Sequence, residues 1–381
     1  MRWRYRETVL VLSTLAFFAT MVGRLAISPV VPMVTEDFGV SNSVIGIALT
    51  GMWMTYFLSQ FPSGLFADRH GERPVILVAV GGTAVASVFL AVAPLFGIFL
   101  LGTLLLGAVA GLHYSVATTL LTRTYDEIGT AIVVHNSGGP LAGLIAPPSW
   151  RPAVAIGAAA AIPVFVLFAW RVRPTEPRRP DEPVRDRLEL EPILELLSRP
   201  EIAFPVVLAI LAAFVWQATS SFLPTFLVEH RGQSTEFAGV VFASYFVVQA
   251  ITQVGVGAVS DRYGRDLATA GCMVLASTGF GLLVAVPGRI ALGGAVLLIG
   301  TGLGWGAALL PRFMDVLGEE ERGAGFGLVR TVYGFVGALG SVCTGVLADL
   351  FGWGVSFAVL GGLLALVFVA LVVNRALSLG Y

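Results

Sequence analysis

Gly64-Leu-Phe-Ala-Asp68-Arg69-His-Gly71-Glu-Arg73 closes one long apolar run and opens the next, and Gly257-Ala-Val-Ser-Asp261-Arg262-Tyr-Gly264-Arg265 does the same further along the chain. The two aspartates are 193 residues apart. At that offset Gln60 meets Gln253, and Gly107-xxx-Gly111 meets Gly300-xxx-Gly304. Ser28-xxx-Pro32 and Ser220-xxx-Pro224 differ by 192, and Gly129, Gly139 and Gly143 approach Gly323, Tyr333 and Gly337 at 194. An offset this steady over five segments predicts a duplicated chain of two similar halves.

The composition says what those halves are made of. Of 381 residues 56% are hydrophobic and 12% charged, whereas ordinary soluble domains carry about 25% charged residues. The mean hydropathy is +0.85. A hydrocarbon core about 30 Å thick takes roughly 20 apolar residues per helix. Apolar runs fall at about 8–32, 43–66, 74–93, 95–122, 128–149, 152–171, 202–228, 236–259, 267–287, 290–314, 323–348 and 353–374. Twelve membrane helices are expected, six in each half. The first run follows Arg2, Arg4 and Arg6 like a signal peptide, but its length and its place in the repeat make it a membrane helix. Residues 172–200 are polar and rich in Pro, Arg and Glu, as expected of a linker. Within them Leu190, Ile193, Leu194 and Leu197 predict a short amphipathic helix.

The net charge of -1 excludes nucleic-acid binding by bulk charge. Cys272 and Cys343 both lie in apolar runs and form neither a metal spacing nor a disulfide framework. All 23 basic residues are arginine. With the N-terminus in the cytoplasm, 18 arginines fall in cytoplasmic segments and Arg151, Arg231 and Arg289 fall outside. That asymmetry predicts a multi-pass protein with both termini cytoplasmic.

The G-x-x-x-D-R-x-G-x-R loop, its second copy and the 6+6 layout resemble the major facilitator superfamily of secondary transporters, over nearly the whole chain. The resemblance implies an all-α integral membrane protein with twelve transmembrane helices in two pseudo-symmetric six-helix bundles. Their expected bounds are 1–171 and 201–381, joined by a linker at 172–200. It implies a transporter rather than an enzyme, monomeric, working in the plasma membrane on a small-molecule substrate near the midplane between the halves. No cofactor or metal is implied, and a coupling proton or counter-anion accompanies the substrate. By the same resemblance Gly64, Asp68, Arg69, Gly71 and Arg73 gate the cytoplasmic side, with Asp126 the candidate partner of Arg73. Asp261, Arg262, Gly264 and Arg265 are their counterparts, with Asp315 or the Glu319-Glu320-Glu321 run facing Arg265. The competing reading is of surface ion pairs with no switching role.

Two arginines do not sort to the surfaces. Arg24 lies eight residues before Pro32 and Arg330 eight residues after Arg322. At 1.5 Å per residue each is about 12 Å from its own membrane surface, near the centre of the bilayer. Such a residue costs roughly 2.5–3.5 kcal/mol on insertion scales and marks a functional site by default. The sequence places no Asp or Glu in the middle of any span. An anionic substrate, a carboxylate, sugar acid or phosphate ester, is therefore expected to bind the two guanidiniums. The alternative is that each long side chain snorkels to the nearer interface. Organic-anion members of the superfamily are similar in placing basic residues on the cavity faces of helices such as the first, seventh, eighth or eleventh, and Arg24 and Arg330 resemble two of these. The repeat makes Asn136 the counterpart of Arg330, with His135 beside it, and Tyr114, Gln217, Tyr245 and Gln249 are further substrate-binding candidates. Each serves equally well as a helix-packing residue. His113 and His135 are also candidates for proton coupling. The second functional reading is a proton-coupled drug exporter of the same superfamily. Its relatives carry an arginine in helix four, where this chain has Thr103.

Overall fold

A computed structural model describes residues 5–125, 149–178, 196–318 and 322–379. The expected fifth span at 128–149, the amphipathic helix of the linker, Asp126, His135, Asn136 and the Glu319-Glu320-Glu321 run lie wholly or almost wholly outside these residues.

The chain divides into two compact units. The first comprises Met1–Val40 and Ala48–Glu189, and the second comprises Ser41–Ile47 and Leu190–Tyr381. The first holds α1 (Tyr5–Leu25), a 3-10 turn (Ser28–Val30), α2 (Val31–Phe38), most of α3 (Asn42–His70), α4 (Glu72–Ala91), α5 (Phe96–Gly111), α6 (His113–Thr124) and α7 (Trp150–Arg171). The second holds α8 (Pro200–Glu229), α9 (Thr235–Tyr263), α10 (Arg265–Ala285), α11 (Arg289–Gly302), α12 (Gly306–Val316), α13 (Arg322–Gly337) and α14 (Leu339–Ala376). No strand occurs among the described residues.

Ten stretches among the described residues are long and apolar enough to cross a membrane. The last, Gly325–Ala376, has 52 residues, more than twice the roughly 20 that a crossing needs. Gly352 (φ 82°, ψ 163°) divides it, which accounts for the two spans read at 323–348 and 353–374. Paired short helices make up single crossings elsewhere: α5 breaks into α6 at Leu112, and α11 breaks into α12 at Leu303–Trp305.

These helices are apolar all round, because lipid and the protein interior are both apolar. Ile251, Val254 and Trp170 stand on exposed faces, and small residues take the inner ones, where close backbone approach gives dispersion contact. A Cβ on Gly107 would lie 2.0 Å from the Met52 carbonyl oxygen, and one on Gly111 would lie 2.2 Å from that of Tyr56. In the second unit a Cβ on Gly300 would lie 3.0 Å from the Tyr245 carbonyl oxygen. Tyr245 is 193 residues after Met52, so α11 meets α9 where α5 meets α3. Gly157 of α7 approaches Gly23 of α1 at 2.8 Å by the same measure. In the second unit Asp349 accepts the backbone N–H groups of Asn42 (3.1 Å) and Ser43 (2.8 Å). A carboxylate there suits the positive end of a helix dipole.

Gly107→Ala is expected to destabilise the protein by about 1–3 kcal/mol through overpacking. Gly362→Ala, where a Cβ meets nothing within 4 Å, is expected to stay within about 0.5 kcal/mol. Thermal unfolding of the two purified variants in the same detergent checks the contrast.

Candidate functional site

In the first unit the site is built on α1 and α3. Arg24 follows Gly23, whose missing side chain lets α1 lie against Thr83, Ser87 and Leu106. Arg24 itself is 1% exposed, so its side chain stays inside and does not snorkel. Its guanidinium lies 3.8 Å from the ring centre of Tyr56 and 5.2 Å from that of Trp53. Its Nε donates to the Thr20 carbonyl (3.2 Å), and an amino nitrogen reaches the Met21 sulfur (2.8 Å). Aromatic faces attract a cation more strongly once water is excluded, up to about 2 kcal/mol. Trp53, Tyr56 and Gln60 share one face of α3 at helical spacing. Gln60 is buried, and both polar atoms of its amide lack a hydrogen-bond partner among the described residues. On α1, Arg24, Thr20, Phe17 and Ser13 follow one another at helical spacing. Phe17 lies against His113 (6.1 Å between ring centres) and Tyr114 (5.6 Å). Arg24 and Tyr114 are thus joined through one aromatic and polar surface.

In the second unit Gln217 of α8 is buried and donates to the Gly334 carbonyl of α13 (3.1 Å). Its Oε1 has no hydrogen-bond partner among the described residues. Arg330 lies one turn before Gly334 on α13 and is partly buried. Gln249 is held by helix contacts at both ends of its amide, donating to the Leu303 carbonyl (2.6 Å) and accepting from Trp216 Nε1 (3.4 Å). Tyr245 is fully buried. Ser221 and Ser341 hydrogen-bond across α8 and α14 at 2.7 Å.

The repeat explains one substitution between the units. Trp216 is 192 residues after Arg24, and Phe246 and Gln249 are 193 after Trp53 and Tyr56. Trp216 packs on Phe246 (6.3 Å, edge to face) and Gln249, as Arg24 packs on Trp53 and Tyr56. The first unit places a charge where the second places an indole. Sequence reading identifies Arg24 but misses Trp53 and Tyr56. Their signal is the 53, 56, 60 spacing on the same face as Gln60.

The charged loops also take defined places. Gly71 (φ 85°) starts α4, and Thr175 of the linker packs on it. Arg73 donates its backbone N–H to Thr175 Oγ1 (3.1 Å) and its guanidinium to the Ala169 carbonyl (2.6 Å). Arg123 pairs with the buried Glu72 (3.1 Å) and reaches the Glu176 carbonyl (3.2 Å). Asp68 is half-buried at the end of α3, and Arg69 is exposed. Tyr125 donates its hydroxyl to the Arg6 carbonyl (3.0 Å), and burial holds its phenol above the usual range. In the second unit Arg265 pairs with Asp315 (3.0 Å) and Asp261, and reaches Ser260 Oγ (3.1 Å). Gly264 (φ 99°) precedes it, and Arg262 lies over Tyr263. Among the described residues no cluster of His, Cys, Asp and Glu could hold a metal ion.

Two units of long apolar helices, carrying a charged loop at equivalent positions and a buried arginine, define a polytopic membrane transport protein. The family model of the Major Facilitator Superfamily matches residues 13–311 and 207–377. The chain belongs to that superfamily, with its all-α fold of transmembrane helices, and is a multi-pass secondary transporter. It is 23% identical to the hexuronate transporter of Bacillus subtilis, over 95% of this chain and 92% of that one. It is 25% identical to the multidrug resistance protein MdtL of Escherichia coli, over 73% of each. The crystal structure of a bacterial homologue of the human lysosomal transporter Spinster superposes with a TM-score of 0.82. It shares 17% identity and covers 99% of this chain and 98% of that one. That likeness shows the fold.

Gly71→Ala and Gly264→Ala separate two costs of a side chain at positive φ. Both incur backbone strain of about 1–3 kcal/mol. Only at Gly71 does the new Cβ also meet Thr175, at 2.4 Å. The melting temperature of Gly71→Ala is therefore expected to fall further than that of Gly264→Ala.

Proposed function

We propose that the transporter moves a small organic anion, a carboxylate, sugar acid or phosphate ester, by alternating access. Arg24 and Arg330 are the cationic contacts. The observation that carries this reading is Arg24: a permanent cation, 1% exposed, set against Tyr56 and Trp53 within the first unit. Guanidinium binds a carboxylate or phosphate through two parallel hydrogen bonds. The amide of Gln60 and the hydroxyl of Tyr114 supply neutral polar contacts on the same unit, and Gln217 Oε1 and Tyr245 supply them in the second. Gln249 acts there by holding Trp216. His135 and Asn136 complete the proposed set from the fifth span. The likeness to a hexuronate transporter supports an acidic substrate.

In this reading both termini and the linker face the cytoplasm, the membrane is the plasma membrane, the working unit is a monomer, and a proton or counter-anion is coupled. Asp68 and Asp261, with Arg69, Arg73, Arg262, Arg265 and their glycines, gate the cytoplasmic side. A proton-coupled drug exporter is the second reading. Two observations favour it: the likeness to MdtL, and an Arg24 wall that is aromatic on two sides and so also suits flat apolar molecules.

Uptake of labelled hexuronates, other monocarboxylates and sugar phosphates into proteoliposomes decides between the two. Arg24→Ala is expected to lower anion uptake by about ten- to a hundredfold, as loss of a charged hydrogen bond worth about 1.5–3 kcal/mol implies. Tyr56→Phe, which keeps the ring, is expected to retain most of it. Wild-type rates in both Arg24→Ala and Arg330→Ala, or transport of lipophilic cations with no anion transport, would overturn the anion reading. Asp68→Asn is expected to slow turnover with little change in apparent substrate affinity.

A further inference from the structure

At the end of the second unit away from the linker, the α8–α9 and α10–α11 connections border an open surface cavity of about 310 Å³. It is lined by His230, Arg231, Gln233, Gly288, Arg289 and Leu292. The repeat shows what is unusual about it. In the first unit the arginine at the same place is paired: Trp150 Nε1 donates to Asp37 (3.1 Å), and Arg151 donates to Asp37 (2.8 Å) and to the Ala93 carbonyl (3.3 Å). Phe38 fills the centre against Phe96 (6.2 Å) and Trp150 (5.4 Å).

The second unit keeps the frame and changes the filling. Glu229, 192 residues after Asp37, again accepts a tryptophan, here Trp353 Nε1 (2.7 Å). The residue after that tryptophan is Gly354 rather than an arginine, and the His230 ring lies where its side chain would be. Arg231 donates to the Val286 carbonyl, 193 residues after Ala93. His230 takes the repeat position of Phe38, and Arg289 that of Phe96. An aromatic plug has become an open cavity with two guanidiniums and an imidazole. Among the described residues no carboxylate lies within 4 Å of Arg231 or Arg289, whereas Arg151 is paired with Asp37.

Both arginines are braced in place. Arg231 reaches across to the α10–α11 connection through Val286, and Arg289 lies over the Phe237 ring at the start of α9. The backbone N–H groups at the start of α11 add positive potential to the same wall. Ile290, beside Arg289, is 94% exposed. That places an apolar side chain next to the cationic pocket at the end of an apolar bundle.

We propose that this cavity binds a phosphate group, separate from the transport site around Arg24, with Arg231 and Arg289 gripping its oxygens and Gln233 donating a neutral hydrogen bond. The phosphate belongs either to a membrane lipid headgroup or to a soluble anion. Guanidinium and phosphate match in geometry and charge.

The test titrates the full-length protein in detergent, at constant ionic strength, with dihexanoyl phosphatidylglycerol and separately with sodium phosphate, read by calorimetry. Wild type is expected to bind at least one probe saturably. Arg231→Gln is expected to weaken that binding at least about tenfold. Arg289→Phe, which installs the counterpart of Phe96 of the first unit, is expected to do the same while keeping the wild-type melting curve. Arg151→Gln, at the neutralised counterpart, is expected to leave binding unchanged. Binding of the lipid alone assigns the phosphate to a headgroup, and binding of both assigns the site to the phosphate group itself. No saturable binding of either probe below about 1 mM, or equal affinity in wild type and all three variants, would overturn the proposal.

Discussion

A backbone N–H or carbonyl left unpaired in hydrocarbon costs several kcal/mol, and no water is present to take it up. That constraint makes every crossing helical. It also removes the hydrophobic effect as a force between helices, since lipid is as apolar as leucine. What holds each unit together is therefore close fit. The contact of Gly107 with Met52 and Thr55, and of Gly157 with Gly23 and Ser87, lets backbones meet at distances that a methyl group would forbid. The repeat preserves this fit, as Gly300 shows against Tyr245 and Val248.

Once the frame is fixed by small residues, the larger side chains at equivalent places are free to diverge. An arginine in the first unit answers to a tryptophan in the second, each resting on the corresponding turn of its neighbouring helix. At the ends away from the linker the divergence runs the other way, with a neutral aromatic plug in the first unit and an open cationic cavity in the second.

Hydropathy and spacing were enough to read the helices and the duplication, because a membrane span leaves a continuous apolar record about 20 residues long. The break at Gly352, the pairing of Arg265 with Asp315 and the burial of Arg24 also agree with positions legible in one dimension. The environment of Arg24 was not legible. Trp53 and Tyr56 look like ordinary lipid-phase aromatics until α1 is laid against α3. The contact of Arg73 with Ala169 and Thr175 was likewise hidden, since a backbone carbonyl and a linker hydroxyl leave no charge pattern to search for.

The sequence by itself determined the all-helical membrane architecture, the two-fold repeat and the presence of an arginine too deep to be a surface charge, all of which follow from periodicity and transfer energy along a single helix. Only the tertiary structure decided what that arginine touches, which glycines are indispensable and where an aromatic plug gives way to an open cationic cavity. Those depend on which faces of different helices meet, and packing complementarity between distant segments is not encoded in any local pattern.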